Sequence, residues 1–140
     1  MARSRRRVQV PPPQRLILDS RAVIALSRND LRARAALAAA REAGVEVSIP
    51  SVVIAETVRG SAKDASINRV IKAVGEVTST DERTGRAAGA LLGAARSTST
   101  IDALVVASAI EGGGGVVVTG DPDDLEPLAS GHPEVVISAL

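Results

Sequence analysis

The residues best placed to do chemistry in this sequence are carboxylates. Asp19 directly follows the apolar run Leu16-Ile17-Leu18, and Asp121 follows Val116-Val117-Val118-Thr119-Gly120. Side chains just past the carboxyl ends of parallel strands collect in one crevice, the usual ligand site of such folds. Glu56 falls on the helix after another strand. Asp102 falls in the first turn of its helix, where the helix dipole favours an ionised carboxylate. These four can converge although they are far apart in sequence. Packed together without counter-ions they would repel, and some would stay protonated. A divalent cation removes that conflict. Oxygen donors, in a chain with no cysteine and a single histidine, favour Mg²⁺ or Mn²⁺ over zinc. Asp123 and Asp124 compete with Asp121 for its role. Asp121 lies closest to the strand end, Asp124 is a candidate further ligand, and Asp123 reads as solvated.

The elements that must position these groups follow from apolar runs and caps. Leu16–Leu18 reads as a buried parallel strand, being apolar at every position. Ser20 can cap a helix over about 21–28, and Asn29 or Asp30 a second through Ala43. Gly44 stops that helix, and Val45–Ile49 follows as a strand ended by Pro50. A helix runs from Ser51 to about Arg59 and is broken by Gly60. Residues 63–74 read as helical and 76–78 as a short strand. Asp81 can start a helix through Arg96, with Gly85, Gly89 and Gly93 on one face, which suggests close helix packing. Thr100 can cap a helix over 101–111 that stops at Gly112–Gly115. Val116–Val118 and Val135–Ile137 read as strands, with a short helix starting at Asp121-Pro122 between them. Alternating strands and helices predict an α/β fold with a parallel sheet of four to five strands, covered on both faces.

Composition narrows the function further. The chain of 140 residues is long enough for one domain over 16–140, preceded by a basic, Pro-rich arm over 1–15 that reads as disordered. There is no Phe, Tyr or Trp, so a nucleic acid base has no ring on which to stack. Residues 1–96 hold all 17 Lys and Arg against 9 acids, and residues 97–140 hold 7 acids and no Lys or Arg. The first part suits phosphate and the second suits cations. No apolar run reaches the ~18–20 residues needed to span a bilayer. The arginines at the start precede Pro11-Pro12-Pro13 rather than an apolar region, which argues against a signal peptide and for a cytoplasmic protein with no membrane partner.

Four segments carry a resemblance to a known family. Leu16-Ile17-Leu18-Asp19-Ser20 is similar to the opening strand of PIN domains, and Ile49-Pro50-Ser51-Val52-Val53-Ile54-Ala55-Glu56 resembles their second acidic motif. Ile101-Asp102-Ala103-Leu104-Val105-Val106-Ala107-Ser108-Ala109 resembles the third, and Val118-Thr119-Gly120-Asp121-Pro122-Asp123-Asp124-Leu125 the fourth. Each is weak alone; their order and spacing over about 15–138 make the set specific. The resemblance is to the short VapC-type toxins of toxin–antitoxin pairs. It implies a PIN-like three-layer α/β/α fold and a magnesium-dependent endoribonuclease, commonly a homodimer, held inactive by a cognate antitoxin. It further implies metal-assisted phosphodiester hydrolysis, with metal on Asp19, Asp102 and Asp121, and Glu56 as second-metal ligand or base. Ser20 and Thr119 are candidates to hold the carboxylates or a metal-bound water, or else are a cap and a strand-end hydroxyl. Arg59 and Arg86 are candidate phosphate contacts, or else solvated helix residues. A binding module on the same fold without catalysis is the alternative. Receiver domains and haloacid-dehalogenase phosphatases fit worse: Ser20 and Arg21 stand where an Asp-x-Asp is needed, and the last lysine is Lys72. His132, in a Ser-Gly-His-Pro turn, and the run Gly112–Gly115, which lacks a Gly-Lys-Ser/Thr ending, are not read as sites.

Overall fold

The computed structural model describes residues 14–140; the arm expected over 1–15 therefore lies outside the described residues except for its last two positions. The first strand, β1 (Arg15–Leu18), begins one residue earlier than its apolar run, because Arg15 is held on both sides. Its guanidinium faces Glu46 at 3.9 Å and donates to the Gly112 carbonyl at 3.2 Å. The chain continues through α1 (Ser20–Ser27), α2 (Leu31–Glu42), β2 (Glu46–Pro50), α3 (Ser51–Thr57), a 3-10 turn (Ala62–Asp64) and α4 (Ala65–Val74). Then come β3 (Val77–Thr78), α5 (Glu82–Ala95), α6 (Thr100–Glu111), β4 (Gly115–Thr119), α7 (Pro122–Ala129) and β5 (Val135–Ala139).

All five strands pair in parallel, in the order β3-β2-β1-β4-β5. The chain winds outward from β1 through β2 to β3, then crosses back to lay β4 on the other side of β1. Right-handed crossovers in opposite directions place their helices on opposite faces. Accordingly α1 packs on α2, α3 and α4, while α5, α6 and α7 pack on one another. The result is the expected three-layer PIN-like sandwich. Its core joins Ile17, Leu18, Ile49, Val117 and Val118 of the sheet to Val23 and Leu26 of α1. From α6 it takes Ala103, Val105, Val106, Ala107 and Ala109. With no aromatic ring to fill space, these small side chains let the central helix lie close to the sheet. Among the described residues no single helix is long and apolar enough to cross a membrane.

Several local expectations are corrected. Asp19, not Ser20, caps α1: its Oδ1 accepts the Ala22 N–H at 2.9 Å, and Ser20 is the first helical residue. Asp30 rather than Asn29 caps α2, with Asn29 instead in the left-handed region at φ 58°. Thr100 is the first residue of α6 and gives it no side-chain cap. Helix α3 ends at Thr57, two residues short of Arg59, and the predicted helix over 63–74 opens as a 3-10 turn. Asp64 causes both. Its buried carboxylate accepts the backbone N–H groups of Arg59, Gly60 and Ser61 at 2.7–3.1 Å, drawing the chain out of the helix into a tight loop.

The glycines of α5 do not mark close packing. Gly85, Gly89 and Gly93 are exposed, and a Cβ at any of them would meet open space. Thr84, Ala88 and Leu91 form the buried face instead. The glycines after α6 do stop that helix, as expected. Gly114 lies at φ 106°, and a Cβ there would stand 2.7 Å from the Glu134 carbonyl oxygen, so only glycine turns the chain tightly into β4.

Candidate active site

In an open parallel sheet the ligand crevice opens outside the carboxyl ends of the strands where the winding direction reverses. Here that point lies between β1 and β4. Asp19 follows β1 and Asp121 follows β4, so the sheet topology alone places both at the mouth of the crevice. A cavity of about 190 Å³ opens there, lined by Asp19, Ser20, Glu56, Asp102, Asp121 and Asp124, with Arg21, Val105 and Leu125.

Three helices begin at this cavity. Asp19 caps α1, Asp102 is in the first turn of α6, and Asp121 and Asp124 stand at the start of α7. Helix N-termini present unsatisfied N–H groups and the positive end of the dipole, so they favour anionic groups. Asp19 is only 5 % exposed. Burial raises its pKa above the ordinary carboxylate value, while the Thr119 hydroxyl, the backbone N–H groups of α1 and the nearby Arg21 guanidinium oppose that rise. Thr119 is fully buried, and its Oγ1 accepts the Asp121 N–H at 2.9 Å. One hydroxyl thus links the ends of β1 and β4.

The remaining carboxylates feel each other. Asp102 has a raised pKa, first through burial and then through repulsion from Asp124, Asp19, Glu56 and Asp121. Asp124 is also raised, by a hydrogen bond shared with Asp121 and by repulsion from it. Both candidates posed by the sequence, Asp121 and Asp124, line the cavity. Glu56 reaches the cavity from α3, where the Ser20 hydroxyl donates to its Oε1.

The donor set fits a hard divalent cation. Five carboxylates and a hydroxyl face one small cavity in which Arg21 is the lone cationic side chain, and oxygen donors of this kind suit Mg²⁺ or Mn²⁺. Among the described residues no three of these carboxylates already stand at metal-ligand spacing.

Other expected residues lie elsewhere. Arg59 does not line the cavity; its guanidinium donates to the Ala55 and Val58 carbonyls at the end of α3. Arg86 pairs with Glu82 at 2.7 Å one turn earlier on the exposed side of α5. Asp123 is exposed, and His132 faces Glu134 at 3.3 Å, outside the cavity. Arg21 is the site residue that sequence reasoning missed. Its Nη2 lies 3.6 Å from Asp121 Oδ2. Its position two places after Asp19, in the first turn of α1, brings it near the same rim, but nothing in its residue type marked it off from a solvated arginine.

Fold and cavity together define a parallel α/β domain with an acidic site at its topological switch point. The chain belongs to the PIN domain family, whose model matches residues 16–129. No curated protein sequence matches it. Among solved structures it is similar to a chain of VapBC2 from Rickettsia felis bound to a promoter DNA fragment, at 14 % identity and a TM-score of 0.71, covering 89 % of this chain and 98 % of that one. A chain of a toxin–antitoxin complex from Klebsiella pneumoniae aligns at 21 % identity and a TM-score of 0.66, covering 86 % and 95 %. DNA-bound VapBC from Salmonella typhimurium aligns at 19 % identity and 0.65, covering 90 % and 98 %. At these identities the likeness is one of fold.

Proposed function

We propose that this chain is a metal-dependent endoribonuclease, the toxin of a toxin–antitoxin pair, which hydrolyses RNA phosphodiester bonds in the cytoplasm. The observation that carries the reading is the cavity at the switch point, where Asp19, Glu56, Asp102, Asp121 and Asp124 converge. Carboxylates gathered in a cleft, with the pKa values of Asp19, Asp102 and Asp124 raised, favour a working site over a scaffold, which gains nothing from like charges pressed together. Membership of the PIN domain family and the fold shared with chains of toxin–antitoxin complexes support the same reading. They also support a cognate antitoxin as partner. Assembly as a homodimer is part of the proposal.

Asp19, Asp102 and Asp121 would hold Mg²⁺ or Mn²⁺, with Asp124 sharing the duty of Asp121. Bound there, such an ion supplies a water of lowered pKa and neutralises charge on the phosphate. The protein's own groups do the rest. The Ala22 N–H and Thr119 fix the orientation of Asp19, so little reorganisation is needed when substrate arrives. Glu56, held by Ser20, is within the cavity and free to take a proton from the attacking water or to orient it. The N-termini of α1, α6 and α7 favour the phosphate oxygens that replace solvent at the mouth.

Expression in a bacterial host tests the biological half of this reading. Growth should arrest, and Asp102→Asn should relieve the arrest at equal protein level. Harmless expression of the soluble wild-type chain would favour a binding module on the same fold.

A further inference from the structure

The carboxylates explain how a cation is held but leave a difficulty for the substrate. An RNA strand approaching five acidic groups needs positive charge close by, and several described arginines, the two expected phosphate contacts among them, are engaged elsewhere. Arg59 is tied to backbone carbonyls, Arg83 pairs with Glu111, Arg86 with Glu82, and Arg15 with Glu46. Arg21 and Arg28 are distinguished by position, at the cavity and in the groove beside it. Arg21 is in the first turn of α1 and Arg28 caps the other end of that helix, about 10 Å further along. Both line a second, open groove of about 580 Å³ whose other walls are Ile24, Ala25, Asp30, Gly120 and Leu140. Arg21 also lines the acid cavity, so groove and cavity adjoin at its side chain.

Local details keep this groove open and its two guanidiniums exposed. A Cβ at Gly120 would stand 3.1 Å from Arg21 Cβ and 3.2 Å from its Cδ, so the glycine gives the arginine stem its path across the end of β4. Arg21 touches Asp121 at a long 3.6 Å with most of its side chain in solvent, which leaves guanidinium N–H groups for another acceptor. Arg28 forms no ion pair among the described residues. The acidic side chain in the groove wall, Asp30, accepts the Ala33 N–H at 2.9 Å as the cap of α2.

We propose that this groove is the track for the RNA strand beside the scissile bond, with Arg21 holding the phosphate at the cavity rim and Arg28 holding one further along. The proposal rests on the nuclease reading above. Its ligand is the ribose-phosphate backbone of single-stranded RNA, matched by two exposed guanidiniums over a mildly apolar floor. Recognition through phosphate also suits a chain without aromatic side chains, which has no platform for stacking bases. Because each phosphate neutralised releases counter-ions, the track has a signature in salt dependence.

The test measures binding of a labelled single-stranded RNA oligonucleotide across a salt series, in the Asp19→Asn background with Mg²⁺ held constant. Arg21→Ala and Arg28→Ala should each flatten the plot of log affinity against log salt by up to about 0.7. Arg28→Lys should restore the slope, and Lys72→Ala, which removes the same charge outside the groove, should match its parent. With Asp19 intact, Arg28→Ala should raise KM for RNA cleavage and leave kcat near wild type. If the wild type cuts RNA but Arg28→Ala keeps the parental slope and KM, the track is wrong and the nuclease reading stands. If the wild type neither binds nor cuts RNA, both fall.

Discussion

Asp19 has two duties, and its neighbours have conflicting ones. Its carboxylate both caps α1 and faces the acid cavity, so replacing it by alanine would confound chemistry with the loss of a cap worth about 1 kcal/mol. Asparagine keeps the acceptor for Ala22 and removes only the charge. Asp102 makes no such structural contribution; burial and four neighbouring carboxylates raise its pKa above 3.8. A carboxyl whose native pKa is raised binds its proton more tightly in the folded state, so it favours folding below the unfolded value. That advantage is lost as pH climbs from about 3.8 through the raised value. Without divalent ions, Asp102→Asn should therefore be more stable than wild type at neutral pH, by about 0.5–1 kcal/mol after allowing for solvent screening. The difference should shrink towards pH 4, and the variant should not cleave RNA. Urea unfolding at both pH values measures this; equal stabilities at neutral pH would refute the strain assigned to the cluster. That Asp19 and Asp102 would share a site could be read from a strand end and a helix start. That Arg21 joins them could not, because an arginine in a first turn is ordinarily a solvated surface residue.

The elements were read well where one physical cause dominates and poorly where two compete. All-apolar runs become buried strands because a parallel sheet covered on both faces leaves no room for alternation. The boundary expected at Ser20 shifts by one residue because the adjacent Asp19 does the capping, and α6 starts at Thr100 with no side-chain cap at all. The end of α3 was unreadable locally, since Asp64 acts from five residues beyond Arg59. Its backbone partners at Arg59, Ser61 and Gly60 hold its pKa below 3.8. The sign is opposite to that of Asp102: stability from Asp64 is present above 3.8 and is lost as pH falls through its lower native value. Asp64→Ala should lower the urea midpoint at neutral pH, and the gap to wild type should narrow in acid. An unchanged neutral midpoint would contradict its role. The glycines of α5 show a different limit. Their four-residue spacing places them on one face, but glycine is neither polar nor apolar enough to say whether that face is packed. Gly89 is exposed with open space around its missing Cβ. Gly89→Ala should stabilise the chain by about 0.5–1 kcal/mol, seen as a higher urea midpoint at unchanged m-value. A loss of stability would mean that this face is covered in solution.

At the scale of the whole molecule, strand order converts local pattern into a site. Nothing in the individual strands says that β4 returns to lie beside β1. The aspartates just past those two strands are informative only because the return creates a switch point between them. The uneven distribution of charge takes on meaning in the same way. The segment from 97 onward, without Lys or Arg, supplies Asp102, Asp121 and Asp124, while the earlier part supplies Arg21 and Arg28 at the rim. The most direct test of this account is cleavage of single-stranded RNA by the purified wild-type chain and by Asp19→Asn, with and without Mg²⁺ or Mn²⁺. The account requires cleavage by the wild type only when the ion is present. It also requires a loss of at least about a hundredfold in Asp19→Asn, with thermal unfolding still cooperative. Metal-independent cleavage, or undiminished cleavage by a folded Asp19→Asn, would contradict it.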